Sequence, residues 1–295
     1  MCAAIESIAV NADSTELKSC HIQKGRLIGV TVTEGSLYFG SLSGLYFLWY
    51  KDYPQSAFHF FNDNGEWLQM DKLGHVTTAY YVSRILHAAH CWAGVSENAS
   101  IWIGSAISFT YLLNIELLDA FSSEWGFSYG DLVANTIGCA LFMGQQFGWH
   151  DQRFTLKYSF HPTEYAQYRP DLLGASFIQQ MVKDYNCMSF WLSGNIHSFL
   201  PEQSKFPRWL NIAIGYGAEG MTGATGNPDN QGGLRAAEFE RYRKFFLSVD
   251  IDLTRIRTRS SVLKGIFNIL GFIKVPAPAI EFNTKGQFNF YFLYF

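Results

Sequence analysis

The chain has 295 residues and a formal net charge of -3, with only 16 % charged residues against 17 % aromatic ones. This length suffices for one large domain or two smaller ones, and the lack of a basic stripe excludes a nucleic-acid-binding surface. Because typical soluble domains carry about 25 % charged residues, the composition favours a membrane-embedded protein with aromatic interface belts; the alternative is a soluble protein with an unusually aromatic core.

Residues 1–24 are predicted to be a leader remnant or a disordered tail. Residues 1–12 are mostly small or apolar, and Val10-Asn11-Ala12 has the small-x-small form of a signal-peptidase site, but a basic n-region is missing. The five cysteines are scattered and form no C-x-x-C pair. The sequence therefore predicts neither a zinc ribbon nor a disulfide framework.

Residues 25–153 are predicted to form a bundle of about four membrane-type helices. The four segments are residues 27–50, 71–95, 101–118 and 131–149. Each is close to the roughly 20 residues that cross a bilayer, yet Glu34, Arg84 and Glu116 interrupt them. Ionisable groups in such helices usually face the bundle interior or a wet cavity. The alternative is a soluble or half-embedded bundle with satisfied polar groups.

Residues 154–295 are predicted to form an antiparallel β region, because the hydrophobic pattern changes to a period of two. The clearest example is residues 245–253, and the final QFNFYFLYF places aromatic residues 288, 290, 292 and 294 on one face. Five or six strands are expected, together with an amphipathic helix near residues 260–273. Such strands are typical of outer-membrane proteins. The predicted fold class is thus α+β, with outer-membrane-like strands after the helices.

Three polar pairs lie where the helical segments begin or end. They are Asp71-Lys72-x-x-His75, Glu116-x-x-Asp119 and Asp131-x-x-x-Asn135. Residues three or four positions apart share one face of a helix. If consecutive helices are antiparallel, all three pairs meet at one end of the bundle. The predicted polar network comprises Asp71, Lys72, His75, Glu116, Asp119, Asp131 and Asn135.

Two interpretations of this network are chemical. In the first, one imidazole and three carboxylates bind a divalent metal such as zinc, manganese or iron. The candidate metal ligands are His75, Glu116, Asp119 and Asp131. In the second, His75 is a general base that Asp71 or Asp131 orients, while Lys72 stabilises an anion. These four residues are the catalytic candidates of that interpretation.

A third interpretation is structural. Lys72 then pairs with Glu116 or Asp119, while Asp131 is stabilised near the N-terminus of its helix. Asn135 joins two helices, and Gly138, one turn further along, lets them approach closely. Such a network is also compatible with a ligand pocket.

The segments FHFFNDNGEWLQMDKLGH and EWGFSYGDLVANTIG, together with Glu116 between them, resemble the YfiM-like family of uncharacterised bacterial envelope proteins. That family is described as predicted periplasmic lipoproteins, and this chain is similar to its longer, Bacteroidetes-type version. A similar order of Asp-Lys-x-x-His, Glu and Asp-x-x-x-Asn-x-x-Gly occurs in VanZ-like membrane proteins. The resemblance covers roughly residues 25–175. It implies an envelope location and a helical core that carries the motifs, without an established activity.

The sequence therefore predicts a protein of the bacterial cell envelope, at the outer membrane or its periplasmic face, with a structural, assembly or lipid-binding role. The expected partners are membrane lipid and other envelope proteins, not nucleic acid. The alternative is an envelope hydrolase or metal-dependent enzyme that acts on lipid or glycan at Asp71, His75, Glu116 and Asp131.

Overall fold

The computed structural model describes residues 21–51, 53–228 and 239–295. Within these ranges, long helices occupy the N-terminal part and an antiparallel sheet the C-terminal part, which confirms the α+β class. The helices are α1 (Lys24–Leu45), α2 (Met70–Trp92), α3 (Glu97–Ala120), α4 (Tyr129–Trp149), α5 (Pro170–Leu173), α6 (Phe177–Lys183) and α7 (Ser261–Leu270). The strands are β1 (Phe154–Phe160), β2 (Met188–Asn195), β3 (Leu210–Glu219), β4 (Tyr242–Ile251), β5 (Ala277–Asn283) and β6 (Phe288–Tyr294).

The change from long helices to strands falls between Trp149 and Phe154, next to the expected boundary at residue 153. A division of the chain into separate domains stays a prediction. The leader or tail expected for residues 1–24 lies mostly outside the described residues, as do Cys2 and Cys20.

Close approach of α4 to α2 depends on Gly138, and α2 also packs against α3. A Cβ atom at Gly138 would lie 2.3 Å from the Val76 carbonyl oxygen and 2.7 Å from the Ala79 Cβ atom. Ser128 begins α4 by accepting a hydrogen bond from the Asp131 amide, as expected for an N-cap. The polar pairs of the two helices are therefore held side by side.

One helix in the described ranges, α3, is long and apolar enough to cross a membrane by length and composition. It also packs against α2 and α4, as the core helix of a soluble protein does. The sequence pattern indicated about four membrane-type helices. That character of the bundle stays a prediction.

The six strands form one antiparallel sheet in which each strand pairs with its neighbours in chain order. The sheet is strongly curled. The Lys157 side chain of β1 reaches the Asp250 carboxylate of β4, with 2.7 Å between Nζ and Oδ2, and the ring of Tyr294 on β6 contacts that of Trp191 on β2. One face of the sheet is therefore enclosed.

The enclosed face combines a charged network with an aromatic cluster of Trp191, Phe246 and Tyr294. The side chains of Lys157, Asp250 and Lys274 are buried completely, and Lys274 Nζ lies 4.0 Å from Asp250 Oδ1. Ser193 donates a hydrogen bond to Asp250 Oδ2 at 2.6 Å, and both lysines donate to backbone carbonyls of β4. Because an unpaired buried charge is costly, this network depends on its partners remaining together.

The opposite face is apolar and, on β3 to β6, exposed. Phe245 and Leu247 on β4 are 44 % and 51 % exposed, whereas the alternating residues Phe246 and Ser248 are buried. We call the exposed set the outer sheet face: Ile212, Ile214, Phe245, Leu247, Val249, Ile280, Phe282, Phe288, Phe290 and Phe292. On β1 and β2 the helices cover this side, where Leu156 packs against α2 and α4 and Phe190 against Met70.

Tyr294 departs from the predicted alternation. It is buried against the enclosed side, whereas Phe288, Phe290 and Phe292 are exposed. The pairing of β5 with β6 shifts register between Ala277 and Ala279, and one extra residue in a strand moves the following side chain to the other face. The prediction that all four aromatic residues share one face is therefore wrong for Tyr294.

Gly138→Ala is expected to lower the free energy of unfolding by about 2 kcal/mol, because the added Cβ collides with the backbone of α2. Gly144→Ala is the matched control on the same helix, since a Cβ there meets no atom within 4 Å. It should raise the free energy of unfolding by up to about 1 kcal/mol through better helix propensity. Urea unfolding of the purified protein in detergent measures both, and equal effects would contradict the close approach of α2 and α4.

Asp250→Asn is expected to lower the free energy of unfolding by about 3–5 kcal/mol, because it leaves the buried Lys157 ammonium without its counter-charge. Glu240→Gln is the control: it breaks the pair with Lys285, in which the Glu240 side chain is 73 % exposed, and should cost less than about 1 kcal/mol. The same unfolding assay applies. A small effect of Asp250→Asn would show that the enclosed face is hydrated.

Candidate functional site

The first turn of α2, the last turn of α3 and the first turn of α4 meet at one end of the bundle. Lys72 on α2 binds Asp131 on α4, with 2.7 Å between Nζ and Oδ1. His75 Nδ1, also on α2, lies 3.0 Å from Asn135 Oδ1 on α4 and 3.8 Å from Glu116 Oε1 on α3. The structure thus brings members of all three polar pairs together. We call this group the polar cluster: Asp63, Asp71, Lys72, His75, Glu116, Asp131, Asn135 and Tyr185.

Lys72 carries the positive charge that joins the carboxylates. Its Nζ atom lies 2.7 Å from Asp63 Oδ2, 3.3 Å from Asp71 Oδ2 and 2.7 Å from Asp131 Oδ1. These partners replace Glu116 and Asp119, which the structural interpretation of the sequence had assigned to it. Burial alone would lower the pKa of Lys72, but the Asp71 and Asp131 carboxylates raise it above its ordinary value. The ammonium is therefore held in its charged form.

Asp131 and Asp71 both lie beside this ammonium. Burial, together with the nearby Asp71 carboxylate, raises the pKa of Asp131 to about 7. Asp71 also accepts a hydrogen bond from the Tyr185 hydroxyl, with 2.5 Å to Oδ1. Burial opposes the charge of Asp71, yet His75, Lys72 and this hydroxyl together lower its pKa below the ordinary value.

Glu116 is almost completely buried. Burial first, and then the Asp131 and Asp119 carboxylates, raise the pKa of Glu116 to about 9, so the side chain keeps its proton at neutral pH. Its Oε2 atom accepts a hydrogen bond from the Ser128 amide at 3.3 Å. Its Oε1 atom has no hydrogen-bond partner among the described residues.

Asp119 is directed to a different contact. It accepts a hydrogen bond from the Tyr50 hydroxyl, with 2.7 Å to Oδ1, and burial raises the pKa of Asp119 to about 7. Of the four predicted metal ligands, His75 and Asp131 converge with Asp71 instead: one nitrogen and two carboxylate oxygens lie within 4.8 Å of one another. These three atoms are the best-placed ligand set in the part of the chain that the structure describes.

A left-handed turn leads into this end of α2. Trp67, Leu68 and Gln69 have φ angles of 46°, 50° and 66°, a conformation that costs non-glycine residues free energy. Two hydrogen bonds from the sheet hold the turn in place. The Leu68 backbone carbonyl accepts one from the Tyr216 hydroxyl, and the side-chain oxygen of Gln69 accepts one from Arg243. The turn connects the loop that carries Asp63 to α2. It thereby places the Asp63 carboxylate beside Lys72 in the first turn of that helix.

Sequence reasoning missed two members of the polar cluster. Asp63 lies in the turn segment FNDNG, which precedes the Asp-Lys-x-x-His motif and belongs to the segment that carries the family resemblance. That position was the available signal. Tyr185 lies 114 residues from Asp71, and no local pattern indicates its contact.

The polar cluster is tightly packed. The side chains of Lys72, His75 and Asp131 are 13 %, 18 % and 6 % exposed. A cavity of about 370 Å³ lies elsewhere, between α2, α4 and the turn after β4, where Arg84, His150 and Arg255 line it. No member of the polar cluster lines that cavity. The cluster is thus a mostly buried ion-pair network.

Residues 59–144 match the model of a family described as "Predicted periplasmic lipoprotein (DUF2279)". The matched segment contains all of the polar cluster except Tyr185, but less than a third of the chain. Neither a curated protein nor a solved structure matches the chain. The match is consistent with the expected location at the periplasmic face of the bacterial envelope. The narrower YfiM-like assignment and the motif similarity to VanZ-like proteins stay predictions.

Lys72→Met is expected to lower the free energy of unfolding by about 3–5 kcal/mol, because three carboxylates lose their common partner. Adding Asp131→Asn to this variant should recover part of the loss, since it removes one of the repelling charges. Lys205→Met, at an exposed loop position, is the control and should change stability by less than about 0.5 kcal/mol. Strictly additive effects of the two cluster substitutions would contradict the network.

Proposed function

We propose that the chain is a non-enzymatic component of the bacterial outer membrane that contacts lipid through the outer sheet face and has a structural, assembly or lipid-binding role. The observation that supports this proposal most is the polarity of the sheet. Charged side chains such as Lys157 and Asp250 are enclosed beside an aromatic cluster, while ten large apolar side chains on β3 to β6 face outward. Sheets in water show the opposite arrangement, with apolar residues inside.

The size of the outer sheet face supports lipid as its partner. Ten large apolar side chains, five of them phenylalanines, are exposed on four adjacent strands. Soluble monomers rarely expose apolar patches larger than a few hundred Å², and larger ones mark protein or membrane contacts. Strands that are apolar outside and polar inside are the pattern of membrane β proteins.

The helix α7 adds a second apolar surface. Val262 and Ile269 are 70 % and 71 % exposed, and Leu263 and Ile266 on the same short helix are exposed as well. An amphipathic helix of this kind lies in the plane of a membrane interface, with its apolar face among the acyl chains. It supports the same orientation of the protein toward lipid.

An envelope hydrolase at the polar cluster is supported less well. The Lys72 ammonium is held by three carboxylates, so it is not free to bind a developing anion. His75 Nε2 lies 3.7 Å from Asp131 Oδ1 and 3.9 Å from Asp71 Oδ1. Both distances exceed a hydrogen bond, so neither carboxylate orients the imidazole as the partner of a general base does.

Leu247→Asp is expected to release a large share of the protein from carbonate-washed outer membranes. A charge on a lipid-facing strand costs on the order of 2–4 kcal/mol near the bilayer centre, whereas at a water-exposed position it costs less than about 0.5 kcal/mol. Separation of inner and outer membranes on a density gradient, followed by the carbonate wash, measures the retained fraction.

Gln203→Asp is the matched control, because Gln203 lies in an exposed polar loop; it should leave the retained fraction unchanged. Circular dichroism of both variants checks that they fold. Release of the unmodified protein by carbonate, or its retention in the inner membrane, would overturn the proposal. Equal retention of the two variants would do so as well.

A further inference from the structure

The polar cluster contains three ligand atoms that converge on one point. They belong to Asp71 and His75 in the first turn of α2 and to Asp131 in the first turn of α4, and they lie within 4.8 Å of one another. His75 Nε2 is 3.7 Å from Asp131 Oδ1 and 3.9 Å from Asp71 Oδ1. Ligands of one tetrahedral ion at about 2.1 Å lie roughly 3.4 Å from each other. These separations are too long for hydrogen bonds but only slightly longer than those around an ion.

The hydrogen bond at the other ring nitrogen points to the same conclusion. Asn135 Oδ1 lies 3.0 Å from His75 Nδ1, and an amide oxygen only accepts, so Nδ1 carries the proton. A ring that carries this proton alone presents the lone pair of Nε2 to two carboxylate oxygens. Three electron-rich atoms face one another in this arrangement, which is favourable only with positive charge between them. Metal-binding histidines are commonly fixed through their second nitrogen in this way.

Two further buried atoms beside the imidazole lack partners. Asn135 is completely buried and Glu116 almost so, yet Asn135 Nδ2 and Glu116 Oε1 have no hydrogen-bond partner among the described residues. Glu116 Oε1 points toward the His75 ring, at 3.8 Å from Nδ1. Buried polar atoms are nearly always satisfied. On the Nδ1 side of the His75 ring, the described side chains therefore leave two buried polar atoms without a partner.

The balance of charge around Lys72 also favours a further cation. Three carboxylates surround this one ammonium within 3.3 Å. Lys72 hydrogen-bonds to the Asp131 oxygen that faces His75, and the Tyr185 hydroxyl to the corresponding oxygen of Asp71. Each oxygen has a second lone pair for an ion. Lys72 and Tyr185 would thus orient the ligands, while the excess negative charge favours a bound cation.

We propose that Asp71, His75 and Asp131 bind one divalent metal ion of the zinc or manganese type. One imidazole nitrogen and two carboxylate oxygens are ligands that both ions accept. The site requires no contact with lipid, so it goes beyond the proposed function and can fail or succeed independently of it. It differs from the ligand set expected from the sequence in using Asp71 in place of Glu116 and Asp119.

The test is isothermal titration of the detergent-purified full chain with Zn²⁺, and separately with Mn²⁺, after treatment with a chelator. One ion should bind per chain. His75→Gln should weaken binding at least tenfold, because it removes the only nitrogen ligand. Asp71→Asn is a second variant for the case that His75→Gln does not fold, and it should weaken binding to a similar degree.

His161→Gln is the matched control, because His161 is exposed in the loop after β1, and its binding should equal that of the unmodified protein. Failure of the unmodified protein to bind either ion would overturn the proposal and would indicate that a second proton on His75 supplies the positive charge. Unchanged binding by folded His75→Gln or Asp71→Asn would overturn it as well.

Discussion

Pairing of buried charge is the constraint on which both halves of this structure depend. In the bundle, Lys72 joins three carboxylates that come from a loop and from two helices. In the sheet, Lys157 joins β1 to Asp250 on β4, across the enclosed space. A buried charge that loses its partner is strongly destabilising, whereas a complete pair contributes little net stability. These pairs therefore specify which elements lie together more than they strengthen the fold.

The inward direction of the charged side chains determines which residues of the sheet face outward. A strand that turns Asp250 and Ser248 inward must turn Leu247 and Val249 outward, because successive side chains alternate between the two faces. Alternation thus decides which side chains of β4 face outward, and these are apolar. The match of residues 59–144 to predicted periplasmic lipoproteins provides an envelope setting in which such a surface can meet lipid.

The sequence predicted the elements well where a local period exists. The alternation predicted for residues 245–253 appears in the structure as far as Ile251, where β4 ends, and the helical spacing of Asp71 and His75 appears as well. Antiparallel packing then placed Asp131 beside them, as the motif order suggested. The curl of the sheet, the contact of Tyr185 with Asp71 and the inward turn of Tyr294 depend on long-range pairing or on a register shift. Such features leave no periodic trace in the sequence.

Contact between the outer sheet face and lipid is tested most directly by photocrosslinking at two adjacent positions. A photoreactive phenylalanine analogue replaces Phe245, which is 44 % exposed, or Phe246, which is 4 % exposed on the enclosed side. The protein is then irradiated in outer-membrane vesicles that contain labelled phospholipid. Lipid adducts are expected at position 245, and few at position 246. Equal labelling, or protein adducts alone at position 245, would contradict contact between the outer sheet face and lipid.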